Sequence, residues 1–152
     1  MRCWMLSEKF VRVLFLLIFL CCVSFVLYET ILSREGGEEY KYNYHFFWSY
    51  KADDPYVHYY FWQNVWNVIL FMPIGLLLPL AFKYCRWWAA LLFGFCLSCF
   101  IEILQLVSMR GFSELDDVFH NTLGCMIGFL MMKGIIAIWH DEKHYRKRNV
   151  VL

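Results

Sequence analysis

A series of polar residues lies within one of the most apolar parts of the chain, between Ser98 and Gly128. They carry carboxyl, amide and guanidinium groups, and in chain order they are Glu102, Gln105, Arg110, Glu114, Asp116, Asp117 and Asn121. Carboxyl groups can transfer protons, and a guanidinium can bind an anionic group. Because an ionisable group is costly within a membrane helix, it usually faces a partner or an aqueous cavity. We therefore expect any functional site to lie in this stretch.

Helical spacing places several of these groups on common faces. Ser98, Glu102 and Gln105 fall at i, i+4 and i+7, on one face of a helix, and Asp117 and Asn121 share a face of the next helix. The two carboxyl groups of Glu102 and Asp117 are our candidate acid/base pair, since two carboxyls in different surroundings can take different roles. The candidate substrate-binding residues are Asn67, Gln105, Arg110, Asp116 and Asn121.

A non-catalytic interpretation of the same cluster stands beside this one. Interhelical hydrogen bonds of about 0.6–2 kcal/mol each could fix the geometry of a helix bundle without any chemistry. Acidic residues near the start of a helix also complement its positive end, which accounts for Glu114 and Asp116. This alternative predicts a scaffold or accessory protein whose polar cluster is structural.

Metal and redox chemistry are weaker alternatives. The acidic residues between Glu102 and Asp117 could bind a hard divalent cation through oxygen ligands. Cys96 and Cys99 are spaced as C-x-x-C but have no histidine nearby, so they do not indicate a metal or redox centre. We assign no metal and no cofactor.

Gly124 and Gly128 have the small-xxx-small spacing that lets two membrane helices approach closely. We expect these two glycines to lie against helix 3 or helix 2 of the bundle.

The composition indicates a membrane protein. Of 152 residues, 61% are hydrophobic, 21% are aromatic and only 18% are charged, and the mean hydropathy is +0.48. A soluble domain of this size needs more charged surface, whereas a bilayer accommodates apolar surface. No basic stripe with interleaved aromatic residues suggests nucleic-acid binding.

The apolar runs predict an all-α fold, an integral membrane bundle of four transmembrane helices forming one domain over residues 1–152. A run of about 20 apolar residues crosses a hydrocarbon core of about 30 Å. The predicted helices cover about residues 10–32, 64–82, 87–109 and 118–139. A secretory signal peptide could explain the first run, but no small-x-small cleavage site follows it. Residues 140–152 are predicted to form a basic tail.

Residues 33–63 are predicted to form an extracytoplasmic loop between helices 1 and 2. The loop is rich in Tyr, Phe and Trp, whose rings have an apolar body and a polar tip and prefer the headgroup layer. We expect it to lie on the membrane surface rather than to form a platform for ligand stacking.

Basic residues near the helix ends predict the orientation. With the N-terminus inside, nine of them face the cytoplasm (2, 9, 12, 83, 86, 143, 146, 147 and 148) and four face outward (34, 41, 51 and 110). The positive-inside bias therefore predicts a multi-pass protein of the cell membrane with both termini in the cytoplasm.

Three ordered segments resemble the VanZ-like family of bacterial integral membrane proteins. They are NVILFMPIGLLLP at 67–79, IEILQ at 101–105 and RGFSELDDVFHNTLG at 110–124. A fourth segment, YNYHFFWSYK at 42–51, matches at Asn43 but lacks the proline that follows in the family. The resemblance covers about residues 40–132. The family pattern falls on Asn67, Pro73, Gly75, Glu102, Gln105, Arg110, Asp117, Asn121 and Gly124.

The resemblance implies a role in the cell envelope, because the namesake of the family is associated with low-level resistance to the glycopeptide teicoplanin. Together with the predicted orientation, which places Glu102 and Asp117 in the outer half of their helices, it leads us to expect a polar site at the outer leaflet that binds or acts on a lipid-linked or cell-wall precursor, or a glycopeptide. The lipid bilayer is the one partner that the composition itself indicates, and the sequence leaves the oligomeric state open.

Overall fold

The computed structural model describes the backbone of residues 2–51 and 55–149 and the side chains of residues 8–51 and 55–142. Within these ranges the chain forms four long helices and one pair of very short strands. The helices are α1 Arg2–Leu27, α2 Val57–Ala81, α3 Trp87–Ser108 and α4 Leu115–Asn149, and the strands are β1 Tyr42–Asn43 and β2 Ser113–Glu114. A π-helical turn, Tyr28–Leu32, extends α1, and a short 3₁₀ helix, Trp48–Tyr50, precedes α2.

The predicted all-α membrane bundle is confirmed. Each of the four helices contains a segment that is long and apolar enough to cross a membrane, and the described spans are Glu8–Leu32, Val57–Ala81, Trp87–Ser108 and Leu115–Glu142. Many large apolar side chains on these helices are exposed, as expected for surface that faces lipid.

Three helices are longer than the sequence predicts. Helix α1 begins at Arg2 instead of about residue 10. Helix α2 begins at Val57 instead of about residue 64, which shortens the predicted 33–63 loop. The aromatic residues that suggested a loop form the first turns of the helix, where the ring of Tyr60 packs 4.7 Å from that of Trp48. Helix α4 begins at Leu115 rather than about residue 118, and it continues past residue 139 through Asn149. No Gly or Pro interrupts residues 140–149, so nothing in the predicted tail stops the helix.

Helix α2 is the centre of the bundle, packing against both α4 and α1, while α3 packs against α4. Glycines allow the close approach of α2 and α4. A Cβ added at Gly124 would collide with the carbonyl oxygen of Val68, and one at Gly128 would collide with that of Met72. The prediction that these glycines lie against a neighbouring helix is confirmed, and that helix is α2.

The loop between α1 and α2 is bound into the bundle at the end where α4 begins. Strand β1 pairs in parallel with β2, with Tyr42 opposite Ser113, and the Ser113 N–H donates to the Lys41 carbonyl at 3.0 Å. Ser49, farther along the loop, is buried. Buried acceptors on α4 therefore hold this segment to the bundle, and its position on the membrane surface stays a prediction.

Candidate functional site

The first turn of α4 lies inside the bundle, well below the end of α3. Helix α3 ends at Ser108, and Met109 adopts a left-handed conformation with φ 53° that turns the chain back. The backbone N–H of Glu114 then donates to Glu102 Oε2 at 2.7 Å. Because Glu102 precedes Met109 by about two helical turns, or roughly 10 Å along the axis, α4 starts at that depth.

Glu102 is buried, and its carboxyl group accepts the hydrogen bond from the Glu114 N–H at the start of α4. Its carboxyl group also interacts with the Ser113 side chain and, through charge, with Asp117 and Glu114. The structure therefore brings the two predicted acid/base residues, Glu102 and Asp117, into one electrostatically coupled group.

Asp117 projects from the first turn of α4 toward α2. Its Oδ1 accepts a hydrogen bond from Asn67 Nδ2 at 2.6 Å, and both side chains are buried. The charge of Arg34 is close enough to act on Asp117 as well. Asn67 and Asp117 were both predicted as site residues, and here they are direct partners.

Asp116 faces away from Asp117 and binds the loop. Its Oδ1 accepts from the Phe47 N–H at 2.6 Å, and its Oδ2 accepts from the Ser49 hydroxyl at 2.6 Å and the Ser49 N–H at 3.3 Å. The same hydroxyl accepts from Asn64 Nδ2 at 2.9 Å. Both oxygens of Asp116 are thus committed to the protein's own loop.

Gln105 and Asn121 are buried between helices, each with one half of its amide paired. Gln105 Nε2 donates to the Thr30 carbonyl at 2.9 Å, and Asn121 Nδ2 donates to Ser98 Oγ at 2.9 Å. Among the described residues, neither Gln105 Oε1 nor Asn121 Oδ1 has a hydrogen-bond partner. These amides link α3 to α1 and α4.

Arg110 lies in the turn after α3 and contacts the backbone at the end of the π-helical turn that extends α1. Its Nη1 reaches the Leu32 carbonyl at 3.5 Å, on the exposed side of the turn after α3. Its role in binding an anion stays a prediction, and Arg34 is a cation whose charge acts on Glu114 and Asp117.

Arg34 is not among the candidate site residues predicted from the sequence. Its guanidinium packs over Gly111, whose φ of +92° and missing side chain make room: a Cβ there would lie 2.8 Å from the Arg34 Nη1. The loop that carries Arg34 is fastened to the end of α3 by the Gly37 N–H, which donates to the Met109 carbonyl at 2.7 Å. An arginine two residues before a glycine pair, directly after helix 1, was the signal available in the sequence.

Glu114 is buried beside Glu102 and also lies close enough to Asp116 and Asp117 to be affected by their charges. Its pKa is raised from 4.5 to about 8, chiefly by burial and then by the nearby charges of Asp117 and Asp116, against a smaller opposing effect of Arg34. The side chain is therefore largely protonated near neutral pH and can donate a hydrogen bond.

Two clefts meet at Arg34. The larger, about 1230 Å³, runs between α1 and α2; it is lined mainly by apolar side chains and also by Asn67. The smaller, about 620 Å³, lies under the 34–43 loop and is lined by polar groups that include Lys41 and Glu114. Arg34, Tyr59 and Gln63 line both.

His120, one turn after Asp116, is also buried. Its Nδ1 lies 2.6 Å from the Asp116 carbonyl and its Nε2 lies 2.7 Å from the Tyr50 hydroxyl. A carbonyl only accepts, so Nδ1 carries the hydrogen and, in the neutral ring, Nε2 accepts from Tyr50. The histidine therefore joins Asp116 in holding the loop.

The acidic residues do not converge as metal ligands. Within residues 8–51 and 55–142, whose side chains the structure describes, no group of three or more His, Cys, Asp or Glu side chains is arranged to hold a metal ion.

Comparison with known proteins gives one family. The family model described as VanZ/LLP1 matches residues 10–139 of the chain. A relative from Enterococcus faecium, named Protein VanZ, is 33% identical over 90 residues, which are 59% of this chain and 52% of the relative. The chain thus spans about half the length of the curated relative it matches. No solved structure matches the chain.

Proposed function

The chain belongs to the VanZ/LLP1 family, and on that premise we propose that it serves the bacterial cell envelope through a polar site at the outer leaflet. The site binds or acts on a lipid-linked or cell-wall precursor and thereby lowers susceptibility to teicoplanin-type glycopeptides. Both termini lie in the cytoplasm in this proposal, which places Glu102, Asp117 and Arg34 near the outer surface.

The observation that carries the proposal is the connection between the large cleft and the buried acids. The cleft between α1 and α2 is apolar along its length and reaches Asn67, which donates to Asp117. An amphipathic molecule could therefore enter from the lipid and bring its polar end to the carboxyl group.

The roles of the site residues follow from this placement. Asp117 is the proposed proton-transferring group nearest the cleft, and Glu102 is the second carboxyl of the pair, coupled to it by charge. Asn67 lines the cleft and is the proposed contact to substrate. Among the other predicted binding residues, Gln105, Asp116 and Asn121 bind neighbouring elements, and we propose that they maintain the shape of the site.

The test is teicoplanin susceptibility of a sensitive bacterial strain that produces each variant at equal, immunoblot-verified levels. The wild-type chain should raise the inhibitory concentration, and Glu102→Gln and Asp117→Asn, which keep size but cannot transfer a proton, should return it to that of the empty vector. Glu142→Gln, at the exposed end of α4, is the matched control and should behave as wild type. Full protection by the Glu102→Gln and Asp117→Asn variants would contradict the catalytic roles, and no protection by the wild-type chain would contradict the link to glycopeptides.

A non-catalytic scaffold is the second candidate, favoured by the hydrogen bond from the Glu114 N–H to Glu102. If that bond is the whole purpose of Glu102, then Glu102→Gln should keep both protection and stability. Glu102→Leu, by contrast, would leave a buried N–H without an acceptor and lower the free energy of unfolding by about 1–3 kcal/mol.

A further inference from the structure

We propose that the two clefts that meet at Arg34 form one continuous binding site for a lipid whose headgroup carries a phosphate. The lipid chain would lie between α1 and α2, and the phosphate would bind Arg34 and the polar cleft under the loop. This inference rests on the function proposed above and specifies the chemistry of its ligand.

The cleft between α1 and α2 has the size and lining that a lipid chain requires. At about 1230 Å³ it exceeds the range of about 300–1,000 Å³ usual for small-molecule sites. Its walls are apolar side chains such as Leu17, Trp66 and Ile69, and the polar end of the cleft contains Glu29, Arg34 and Gln63. A molecule that fills it is apolar over most of its length and polar at one end.

Arg34 stands where the apolar and polar parts of the site join, since it lines both clefts. Its side chain packs over Gly111, where an added Cβ would lie 2.8 Å from the Arg34 Cδ and Nη1. The glycine therefore leaves the space that the arginine side chain occupies. A guanidinium offers several hydrogen-bond donors in a planar fork that fits a phosphate. The junction is therefore equipped to bind an anionic headgroup.

The polar cleft supplies further donors. It is lined by Lys41, a second cation, and by Trp48, whose buried indole N–H has no acceptor among the described residues. Glu114 also lines this cleft, and its pKa of about 8, raised mainly by burial, leaves it largely protonated at neutral pH. The remaining carboxylates of the combined site are Glu35 in this cleft and Glu29 in the large cleft, and both residues are exposed. Water and salt screen exposed charges more than the charge of the half-buried Arg34, which leaves the junction favourable to a phosphate.

The experiment compares three probes on the purified full-length chain in a non-ionic detergent, by native mass spectrometry. Dioleoyl phosphatidic acid has both chains and phosphate, dioleoylglycerol has the same chains alone, and inorganic phosphate has no chain. We expect phosphatidic acid to bind at least tenfold more tightly than dioleoylglycerol, and inorganic phosphate to show no saturable binding at the same concentrations. Equal binding of the two lipids would overturn the headgroup assignment, and binding of inorganic phosphate as tight as that of phosphatidic acid would overturn the lipid assignment.

Two variants with matched controls locate the site. Arg34→Gln should weaken phosphatidic acid binding at least tenfold, to the level of dioleoylglycerol, whereas Lys51→Gln, which removes a loop cation outside both clefts, should not. Cys21→Trp, at an exposed position lining the apolar cleft, should weaken both lipids, whereas Cys96→Trp, exposed on α3 outside both clefts, should weaken neither. Because Cys21 is exposed, its replacement keeps the fold even if Arg34→Gln lowers folded yield. Unchanged binding in the Cys21→Trp variant, or in folded Arg34→Gln protein, would overturn the proposal.

This measurement is separate from the susceptibility test. Arg34-dependent lipid binding in a protein that gives no protection from teicoplanin would contradict the proposed function and leave the lipid site standing. If the Arg34→Gln variant still protects from teicoplanin and the two lipids bind equally, the lipid site is contradicted and the proposed function stands.

Discussion

The side-chain amide of Asn67 on α2 donates a 2.6 Å hydrogen bond to the carboxyl group of Asp117 on α4. Both side chains are buried, and Asn67 forms part of the wall of the large cleft. The bond thus connects the face of the protein that lipid can reach with the acids in the interior.

Loss of this bond should destabilise the protein, because it leaves a buried carboxyl group without its partner. Asn67→Ala is expected to lower the free energy of unfolding by about 1–3 kcal/mol. The double variant with Asp117→Ala should show a coupling energy of about 0.5–3 kcal/mol in denaturant titrations. Gln63→Ala, which lines the same cleft, serves as the control and should cost less than about 0.5 kcal/mol. Additive single effects at Asn67 and Asp117 would argue against the bond.

Asp116 should protect the loop between α1 and α2 from proteolysis. Its carboxylate accepts from the Phe47 N–H and the Ser49 hydroxyl, so Asp116→Ala would free the segment just before Lys51. We expect trypsin to cleave after Lys51 at least severalfold faster in this variant, as measured by the rate of appearance of the two fragments. Asp141→Ala, at the exposed end of α4, provides the comparison. An unchanged cleavage rate in Asp116→Ala would show that other contacts hold the loop.

Gly124 should tolerate no side chain, since its α-carbon packs on the backbone of α2 at Val68. Gly124→Leu and Gly128→Leu are each expected to lower the melting temperature or prevent recovery of folded protein in detergent. Gly134→Leu on the same helix is the matched control, because a Cβ there meets nothing within 4 Å. Normal stability of both the Gly124→Leu and Gly128→Leu variants would contradict the close approach of α2 and α4.

Stability should depend on pH through Glu114. Its pKa is about 8 in the folded protein against 4.5 for the free side chain, owing mainly to burial and to the charges of Asp117 and Asp116. Between these two values the folded state binds more protons than the unfolded state, so stability contributed by this group is present below pH 4.5 and is lost as pH rises toward 8. The loss cannot exceed about 1.4 kcal/mol per pH unit for one group.

Thermal unfolding of Glu114→Gln across the same pH range measures this contribution. The variant should lose less stability than the wild type as pH rises, since a glutamine does not titrate. Glu142→Gln, which replaces an exposed carboxylate, should follow the wild-type profile. Parallel profiles for the wild type and Glu114→Gln would mean that Glu114 ionises with an ordinary pKa.

The proposed orientation can be tested with a membrane-impermeant maleimide on intact cells. A cysteine introduced at Gly37, in the loop after helix 1, should be labelled from outside beyond the level of the parent chain. A cysteine at Glu142 should be labelled only after the cells are opened. The opposite pattern would place the carboxylate cluster on the cytoplasmic side and exclude an outer-leaflet site.

The sequence by itself determined that the protein is a bundle of four membrane helices. Hydropathy and helix length are properties of contiguous residues, so four membrane helices could be predicted, with errors at the start of helix 1 and at the ends of helices 2 and 4. Periodicity also placed Gly124 and Gly128 on one face of α4, and that face packs against α2. The polar residues of α3 and α4 were recognised because a lipid-facing helix has little use for them.

Only the tertiary structure decided which of those polar groups meet. Asp116 binds Phe47 across 69 residues of sequence, Gln105 binds Thr30 across 75, and neither pairing follows from spacing along one helix. Arg34 lies next to Gly111 because the chain reverses at Met109 and the loop is fastened to that turn. Local patterns specify the helices, whereas the position of a cation beside buried carboxyl groups depends on how loops and helices far apart in sequence pack together.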